Sequence, residues 1–501
     1  MSAPVSATPS QTVRFVLDGE TKCVSGLPPT TTVLDYLRKT ANRTGTKEGC
    51  AEGDCGACTV VLGELAPDGG SIAYRVINSC IRLLPTLDGK ELVTVESLRS
   101  DTGTLHPVQR AMIDQHASQC GFCTPGFVMS LFALYLDHAS PTRAEIVRAL
   151  SGNLCRCTGY RPIIDAGARM SDYPAPERWS RDAAQSASHV EALRALRRTS
   201  RDSALRFPGY CAPRSLEELA AELQASPDSL MLAGGTDIGL WVTKQLQEVA
   251  PIVYLGDVPE LQQIRTGPDG LWIGAAVPLS AAWPALVAAH PGLAEQARRF
   301  ASPPVCNSGT LCGNIANGSP IGDSMPALMA LGTELDLRCG ARQRRVSLES
   351  FYLGYRKKDL APGEFIVGVR VPPPKPGTLF ASYKLGKRFD QDISAVCAGF
   401  AVHIEDRRIV AAHLAFGGMA AIPTRASGAE AALVGRPWSE ATFEGAVKLL
   451  DTDFRPLTDM RATSAYRLQA AGNLLRRFHL QYSTPERQLR IATHAGVEAA
   501  R

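Results

Sequence analysis

Cys50-Ala51-Glu52-Gly53-Asp54-Cys55-Gly56-Ala57-Cys58 sets three thiols in C-x4-C-x2-C spacing, and Cys80 supplies a fourth downstream. That is the spacing of plant-type [2Fe–2S] sites, in which four thiolates close round a compact two-iron core. Glycines in and beside the loop let the backbone curl and take positive φ. Its N–H groups can then face the sulfurs and offset the extra charge of the reduced state. Zinc sites favour repeated C-x2-C knuckles, so the four-residue gap fits zinc poorly. Disulfides belong to exported chains, and nothing else here points to export.

Working outward, Cys120 and Cys123 form C-x2-C, and Cys155 and Cys157 form C-x-C beyond a helical stretch. Alone, this second set could bind zinc; beside the first it reads as a second [2Fe–2S] site. Two one-electron carriers on one chain imply electron transfer. The remaining six cysteines, Cys23, Cys211, Cys306, Cys312, Cys339 and Cys397, are scattered, and the default for each is a buried or inert thiol.

A length of 501 residues predicts two to four domains, and a net charge of +4 gives no case for nucleic acid or a membrane surface. No apolar run reaches the roughly 18 residues a membrane span needs. Residues 1–11 are rich in Ser, Pro and Ala without an apolar signal core, which predicts a loose arm. Fourteen cysteines without an export signal predict a reducing, cytoplasmic setting.

Residues 12–17 alternate like a strand and Asp18-Gly19 signals a hairpin. Thr32 is placed to cap a helix over 33–38, and strand-like runs follow at 59–65, 74–78 and 92–95. From His106 to Met170 the pattern turns helical. Thr124-Pro125 reads as an N-cap followed by proline, residues 127–136 as a buried helix, and Thr142-x-x-Glu145 as a capping box. The second cysteine set then lies at helix ends, where helix N-termini favour an anionic cluster. His106, His116 and His138 lie nearby and read as packing or capping residues. The Ser/Ala/Pro/Arg-rich stretch 171–203 reads as a linker with a short helix at 190–197. Two glycine-rich loops follow, Ala233-Gly234-Gly235-Thr236-Asp237 and the stretch from Gly309 to Asp323. Neither is a Walker A loop nor a G-x-G-x-x-G fingerprint, yet clustered backbone N–H groups can nest a phosphate. A flavin links one-electron carriers to a partner that exchanges electron pairs.

Thr44 to Cys58, Gln119 to Phe127 and Gly152 to Tyr160, together with the two glycine loops, resemble the signatures of the xanthine dehydrogenase family of molybdenum hydroxylases. The resemblance runs from about residue 11 to 490. It implies an α+β multidomain fold: a β-grasp ferredoxin-like domain at 11–97, a four-helix cluster-binding domain at 98–170, a linker at 171–203, a two-part α/β FAD-binding domain at 204–378 and a C-terminal α/β domain at 379–490. It implies two [2Fe–2S] clusters as cofactors, on Cys50, Cys55, Cys58 and Cys80 and on Cys120, Cys123, Cys155 and Cys157. FAD would be held by Leu232, Ala233, Gly234, Gly235, Thr236, Asp237, Ser308, Gly309, Thr310, Asn314, Ile315, Asp323 and Lys384. Gln119 and Cys157 would lie nearest a molybdopterin. The segment Lys387 to Asp392, with Tyr355, would influence access of NAD to the flavin.

The family's long members continue into a molybdopterin domain absent here, so the chain is expected to resemble the small subunit of two-chain bacterial members. Its partner would be a molybdopterin-binding large subunit, in an assembly with two copies of each chain. Electrons from hydroxylation of hypoxanthine and xanthine to urate would pass through the helical-domain cluster, the plant-type cluster and FAD to NAD. Two departures stand out: Cys306 replaces a residue often basic in relatives. Cys312 adds a side chain where backbone should approach phosphate. The same architecture also suits an aldehyde oxidoreductase or a hydroxybenzoyl-CoA-type reductase. A plain electron carrier or zinc scaffold is the rival from another class. No carboxylate pair for acid–base catalysis is legible.

Overall fold

The computed structural model describes residues 11–489 apart from 67, 101, 199–203, 390, 487 and 488. The predicted N-terminal arm and the last part of the predicted linker therefore lie outside the described residues. The chain divides into two compact units. The first holds the described residues up to Glu222, then Asp228–Pro259 and Ser302–Gly309; the second holds Leu223–Pro227, Glu260–Ala301 and the described residues from Thr310.

In the first unit a five-stranded sheet runs in the order Glu20–Val24, Val13–Leu17, Glu91–Val93, Thr59–Leu65, Ile72–Asn78. Val13–Leu17 lies parallel to Glu91–Val93, and the other neighbours are antiparallel, as in a β-grasp fold. Asp18 and Gly19 take φ of 58° and 79°, the left-handed pair a two-residue hairpin turn demands. Both faces of the sheet are covered, so the first five residues of Thr59–Leu65 are all buried. One face packs Phe15, Leu62 and Leu92 with Leu205, Tyr210, Leu232 and Tyr254. The other packs Val61, Tyr74 and Val93 against Val108, Phe127, Leu131, Phe132, Ile146 and Ile163 of four helices. Those helices are Pro107–Asp114, Thr124–Asp137, Arg143–Leu150 and Arg161–Arg169. A second, four-stranded sheet orders Leu205–Phe207, Tyr210–Ala212, Ile252–Tyr254 and Leu230–Leu232.

Three local expectations change. Thr32 does cap a helix, its side chain accepting from Asp35 N, but only Val33–Asp35 is α-helical; Tyr36–Thr40 widens into a π turn closed by Ala41 N–H to Tyr36 O at 2.9 Å. Such widened turns recur near functional loops. The capping box at Thr142 and Glu145 forms as expected. At the buried helix, however, the cap position belongs to Cys123, and Thr124 is the first helical residue with its hydroxyl 2.7 Å from Ser118 Oγ. The described part of the linker is folded core: Trp179, Ala184, Val190, Leu193 and Leu196 are buried with the helices. Trp179 Nε1 donates to Ser97 O at 2.9 Å, and the helix spans Ala187–Leu196. Polar composition masked the i, i+3, i+6 spacing of Val190, Leu193 and Leu196.

The second unit carries an antiparallel five-stranded sheet, in the order Ile264–Gly267, Gly270–Gly274, Phe365–Val371, Glu334–Cys339, Arg342–Ser347. A four-stranded antiparallel sheet follows, from Thr378–Leu385 through Val396–Glu405 and Arg408–Gly417 to Thr424–Arg425. The helices Ser427–Leu433, Glu440–Val447 and Ser464–Ser483 share its core. Phe400 sits at the centre, fully buried, with ring centroids of Phe416, Phe478 and Tyr383 at 5.2, 5.6 and 5.8 Å. Phe400→Ala is expected to cost about 3–5 kcal/mol, through lost burial and the cavity left behind. Denaturant unfolding followed by near-UV dichroism checks it; a loss below 1 kcal/mol would mean the core collapses freely. Among the described residues, no helix is long and apolar enough to cross a membrane.

Candidate iron–sulfur and flavin sites

The first cysteine set converges in the first unit. Cys58 and Cys80 Sγ atoms are 3.2 Å apart. Cys50 and Cys55 embrace each other, each backbone N–H 3.3 Å from the other's sulfur, and Glu52 N–H reaches Cys50 Sγ at 3.5 Å. Ala51, Gly53 and Gly56 take φ of 56°, 78° and 71°, which turns those N–H groups inward. A Cβ on Gly49 would stand 2.7 Å from Cys55 Sγ, so the loop closes tightly on its own thiols. Hydrogen bonds from Cys55 and Cys80 pull the Cys50 thiol well down, and one from Cys80 lowers Cys58. Cys55 and Cys80 are pushed up in return, chiefly by their bonds to Cys50. Four thiols this close cannot all ionise unless cations take up the charge. No three His, Cys, Asp or Glu groups among the described residues surround a single ion. The thiols stand in pairs, which fits a two-iron core with two thiolates to each iron.

The second set gathers at helix ends, as expected. Cys120 and Cys157 Sγ are 3.7 Å apart, and Cys123, at the N-cap of Thr124–Asp137, bonds Cys155. Burial, then the neighbouring Cys155, pushes the Cys123 thiol up to about 12. The Thr158 hydroxyl lies 3.2 Å from Cys155 Sγ, and Thr158 N–H donates to the same sulfur at 3.5 Å. Cys120, Cys157 and Gln119 are exposed, as are Phe122 and Leu154 beside them.

The two sets interlock. Leu154 N–H donates to Cys55 O at 2.9 Å, joining the residue before Cys155 to a thiol of the first set. Asn153 Nδ2 donates to Gly56 O at 3.1 Å and its Oδ1 accepts from Ser130 at 2.6 Å. A Cβ on Gly126 would meet Gly56 O at 2.1 Å, so the helix and the cysteine loop touch backbone to backbone.

The histidines keep structural roles. His106 is buried and caps Pro107–Asp114, with Nδ1 accepting from Val108 N–H at 3.2 Å. His138 pairs with Glu145 at 3.6 Å, and His116 is exposed. Burial holds the His106 imidazole down to about 4, against 6.5 when unfolded. Protons therefore favour the unfolded chain: stability is full above pH 6.5 and declines between there and about pH 4, by up to about 3 kcal/mol. Denaturation at pH 7 and pH 5 tests this. His106→Asn, which can still cap, is expected to flatten the decline; an unchanged slope would assign the acid sensitivity elsewhere.

Of the residues the resemblance assigns to FAD, Leu232 to Asp237, Ser308 and Gly309 lie in the first unit, and Thr310, Asn314, Ile315, Asp323 and Lys384 in the second. In the first, Leu232 ends a strand and Ala233–Asp237 turn from it. Gly235 takes φ of 75°, and a Cβ on Gly234 would lie 1.9 Å from Ser308 O, so the loop meets Ser308 and Gly309 with no room for a side chain. In the second, Thr310 caps Leu311–Asn317, accepting from Gly313 N–H at 2.9 Å. Asn314 Oδ1 accepts from Ser324 at 2.6 Å, and Ile315 is buried. The Asp323 carboxylate accepts from Lys384 Nζ and from Ser394, both at 2.6 Å, in a buried pocket. Asp323 and Lys384, 61 positions apart, are thus one ion pair. Ser394 and Gln296, which also bonds Asp323 O, were missed by sequence reading; neither lies in a glycine loop and no local pattern marks them. Asp392 gathers the N–H groups of Lys387 and Arg388 at 2.6 and 3.0 Å, and Tyr355 is exposed. Asp390 lies outside the described residues.

The other cysteines divide. Cys211, Cys312 and Cys397 are buried, Cys306 and Cys339 half-buried, and Cys23 is exposed. Cys312 is packed in the core with 2% exposure, and burial raises its thiol well above the usual range. Helix Leu311–Asn317 carries this side chain on its buried side, in keeping with a tolerated small substitution at this position.

Four family models match successive parts of the chain. Residues 15–81 match the 2Fe-2S iron–sulfur cluster binding domain and 94–168 the [2Fe-2S] binding domain. Residues 203–374 match the FAD binding domain in molybdopterin dehydrogenase, and 381–482 the CO dehydrogenase flavoprotein C-terminal domain. Xanthine dehydrogenase of Emericella nidulans is 32% identical over 498 residues, 88% of this chain and 36% of that protein. Xanthine dehydrogenase/oxidase of Rattus norvegicus is 34% identical over 454 residues, 81% of this chain and 34% of that protein. The chain thus spans little more than a third of these relatives' length. Among solved structures, carbon monoxide dehydrogenase from Hydrogenophaga pseudoflava is 28% identical with a TM-score of 0.51, covering 54% of this chain and 94% of that one. With two [2Fe–2S]-binding domains followed by an FAD-binding domain, this chain belongs to the molybdenum hydroxylase family of oxidoreductases, as its iron–sulfur and flavoprotein part.

Proposed function

We propose that the chain is the iron–sulfur/FAD subunit of a xanthine dehydrogenase, carrying electrons released by purine hydroxylation at a molybdopterin-bearing partner to NAD. The observation that supports it most is 30–34% identity to xanthine dehydrogenases that runs through the iron–sulfur and the flavin segments alike. When bound, the [2Fe–2S] clusters supply one-electron carriers and FAD exchanges electrons singly or in pairs. Cys50, Cys55, Cys58 and Cys80 would hold one cluster, and Cys120, Cys123, Cys155 and Cys157 the other. Backbone N–H groups of Glu52, Cys55 and Thr158 already face thiol sulfurs, and there they would offset negative charge. The Leu232–Asp237 loop, Ser308, Gly309, Thr310, Asn314 and Ile315 would bind FAD largely through backbone. Within the second unit Asp323 holds the Lys384 ammonium in place, fixing the direction of its remaining donors.

The exposed thiols Cys120 and Cys157, with Gln119 and Phe122, form the face offered to the partner. The assembly would hold two copies of each chain in the cytoplasm. A second reading is favoured by the match of 381–482 to a CO dehydrogenase flavoprotein domain: the same electron-transfer role beside a different molybdenum chemistry.

The test begins with the purified chain. Flavin and broad iron–sulfur absorption, with NADH oxidation by an artificial acceptor and no xanthine turnover, is the expected result. Co-expression with its molybdopterin partner should add xanthine-linked NAD reduction. Gln119→Ala should then slow that activity while sparing the NADH–dye reaction. A colourless, zinc-loaded protein would end the redox reading, and turnover of carbon monoxide or aldehydes in place of xanthine would transfer the chain to the second.

A further inference from the structure

The short helix Ile238–Thr243 begins directly after the flavin-loop residue Asp237, and it lies on the first cysteine loop. Thr243 Oγ1 donates to Ala51 O at 2.7 Å and shares its proton with Gly239 O at 2.9 Å. Lys244 Nζ, one residue on, donates to Cys50 O at 3.0 Å and stands 3.7 Å from the Glu52 carboxylate. Leu240 packs against the small apolar group of Leu34, Cys58, Cys80 and Ile81. Gly239 has no side chain to spare: a Cβ there would stand 2.6 Å from both Ile81 O and Ile81 Cβ. One helix turn therefore touches or adjoins Cys50, Cys58 and Cys80.

The cysteine loop needs such support. Ala51 lies in the left-handed region at φ 56° without being glycine, a strained conformation that persists only when neighbours impose it. Its carbonyl is the one Thr243 captures. On its other side the loop is tied by Leu154 N–H to Cys55 O. Neither Thr243 nor Lys244 belongs to a cluster or flavin motif, so a purely local role would not require them to reach 192 and 194 positions back along the chain.

We propose that Thr243 and Lys244 are positioning residues for electron exchange between flavin and the plant-type cluster. They clamp the Cys50–Cys55 loop to the element that carries the flavin loop, and so fix the distance and the backbone field at that cluster. This rests on the flavin and cluster assignments above. When bound, FAD would supply the exchange between a hydride's two electrons and the one-electron clusters, with Cys50, Cys55, Cys58 and Cys80 holding the cluster that the clamp supports.

The experiment uses the loaded full-length chain bearing Thr243→Val with Lys244→Met. Electron paramagnetic resonance is recorded after photochemical reduction, and bleaching is followed after rapid mixing with NADH. The expected result is a shift and broadening of the plant-type signal. Cluster bleaching should slow about tenfold after flavin bleaching, since small misplacements carry large rate penalties. FAD content and the second signal should be unchanged, and restoring the hydroxyl as Thr243→Ser, with Lys244 kept, should recover the signal. Loss of the plant-type iron alone also supports the clamp. An unaltered signal with unaltered bleaching overturns it, and so does joint loss of FAD and both clusters, which would make these plain folding residues. A wild-type chain without flavin or iron–sulfur absorption would instead strike the proposed function itself.

Discussion

Cys55→Ala is expected to remove one of two distinct [2Fe–2S] paramagnetic signals, along with half of the bound iron and acid-labile sulfide. Cys55 is the partner of Cys50, with reciprocal N–H to sulfur contacts of 3.3 Å, so its loss breaks one pair and leaves three thiols. Three thiolates cannot complete the shell of a two-iron core that takes four. The other signal should persist for a structural reason. The tie between the two sites runs through the Cys55 carbonyl to Leu154 N–H, and that backbone link survives truncation of the side chain. Asn153 and Ser130, which hold the junction, are likewise untouched. Iron analysis and low-temperature spectra of the reduced variant check this. Loss of both signals with intact near-UV dichroism would show that the eight cysteines do not partition as four and four.

Gly234→Val should weaken FAD binding sharply. The nearest atoms to its added Cβ are backbone, Ser308 O at 1.9 Å and Gly309 Cα at 2.7 Å, so no rotamer change relieves the clash. The two loops must part, at a cost of about 1–3 kcal/mol, which weakens FAD roughly tenfold to hundredfold. Gly235 differs: a Cβ there meets Leu232 Cδ1 at 3.3 Å and Ile81 O at an ordinary 3.8 Å, and its requirement is the φ of 75°. Gly235→Ala should therefore act through backbone strain and more mildly. FAD fluorescence titration measures both, with cluster absorption as the control for folding. Full occupancy and unchanged affinity in Gly234→Val would take this loop out of the flavin site.

Both predictions start from features legible in the sequence, and their force comes from contacts that are not. The spacing of Cys50, Cys55 and Cys58, the Asp18-Gly19 turn and the Thr142–Glu145 box depend on neighbours within a few residues, where backbone geometry leaves few choices. The same holds for the glycine loops, whose composition announces close backbone approach. The buried helix after Cys123 was legible from its all-round apolar face, though its cap was not: Cys123 takes the cap position, and Thr124, the first helical residue, turns its hydroxyl to Ser118.

What tertiary structure alone decided lies far apart along the chain. Pairing of Cys58 with Cys80, and of Cys120 with Cys157, spans 22 and 37 positions. The Asp323–Lys384 ion pair and the reach of Thr243 to Ala51 span 61 and 192. Trp179 and Val190 joined the core although their segment reads as polar linker, because burial is set by the surface a segment covers and not by its average composition. The sequence by itself determined which chemistry the chain can hold, since ligand type and loop spacing are local. Only the fold decided which ligands meet, because that rests on packing between elements whose separation no local pattern encodes.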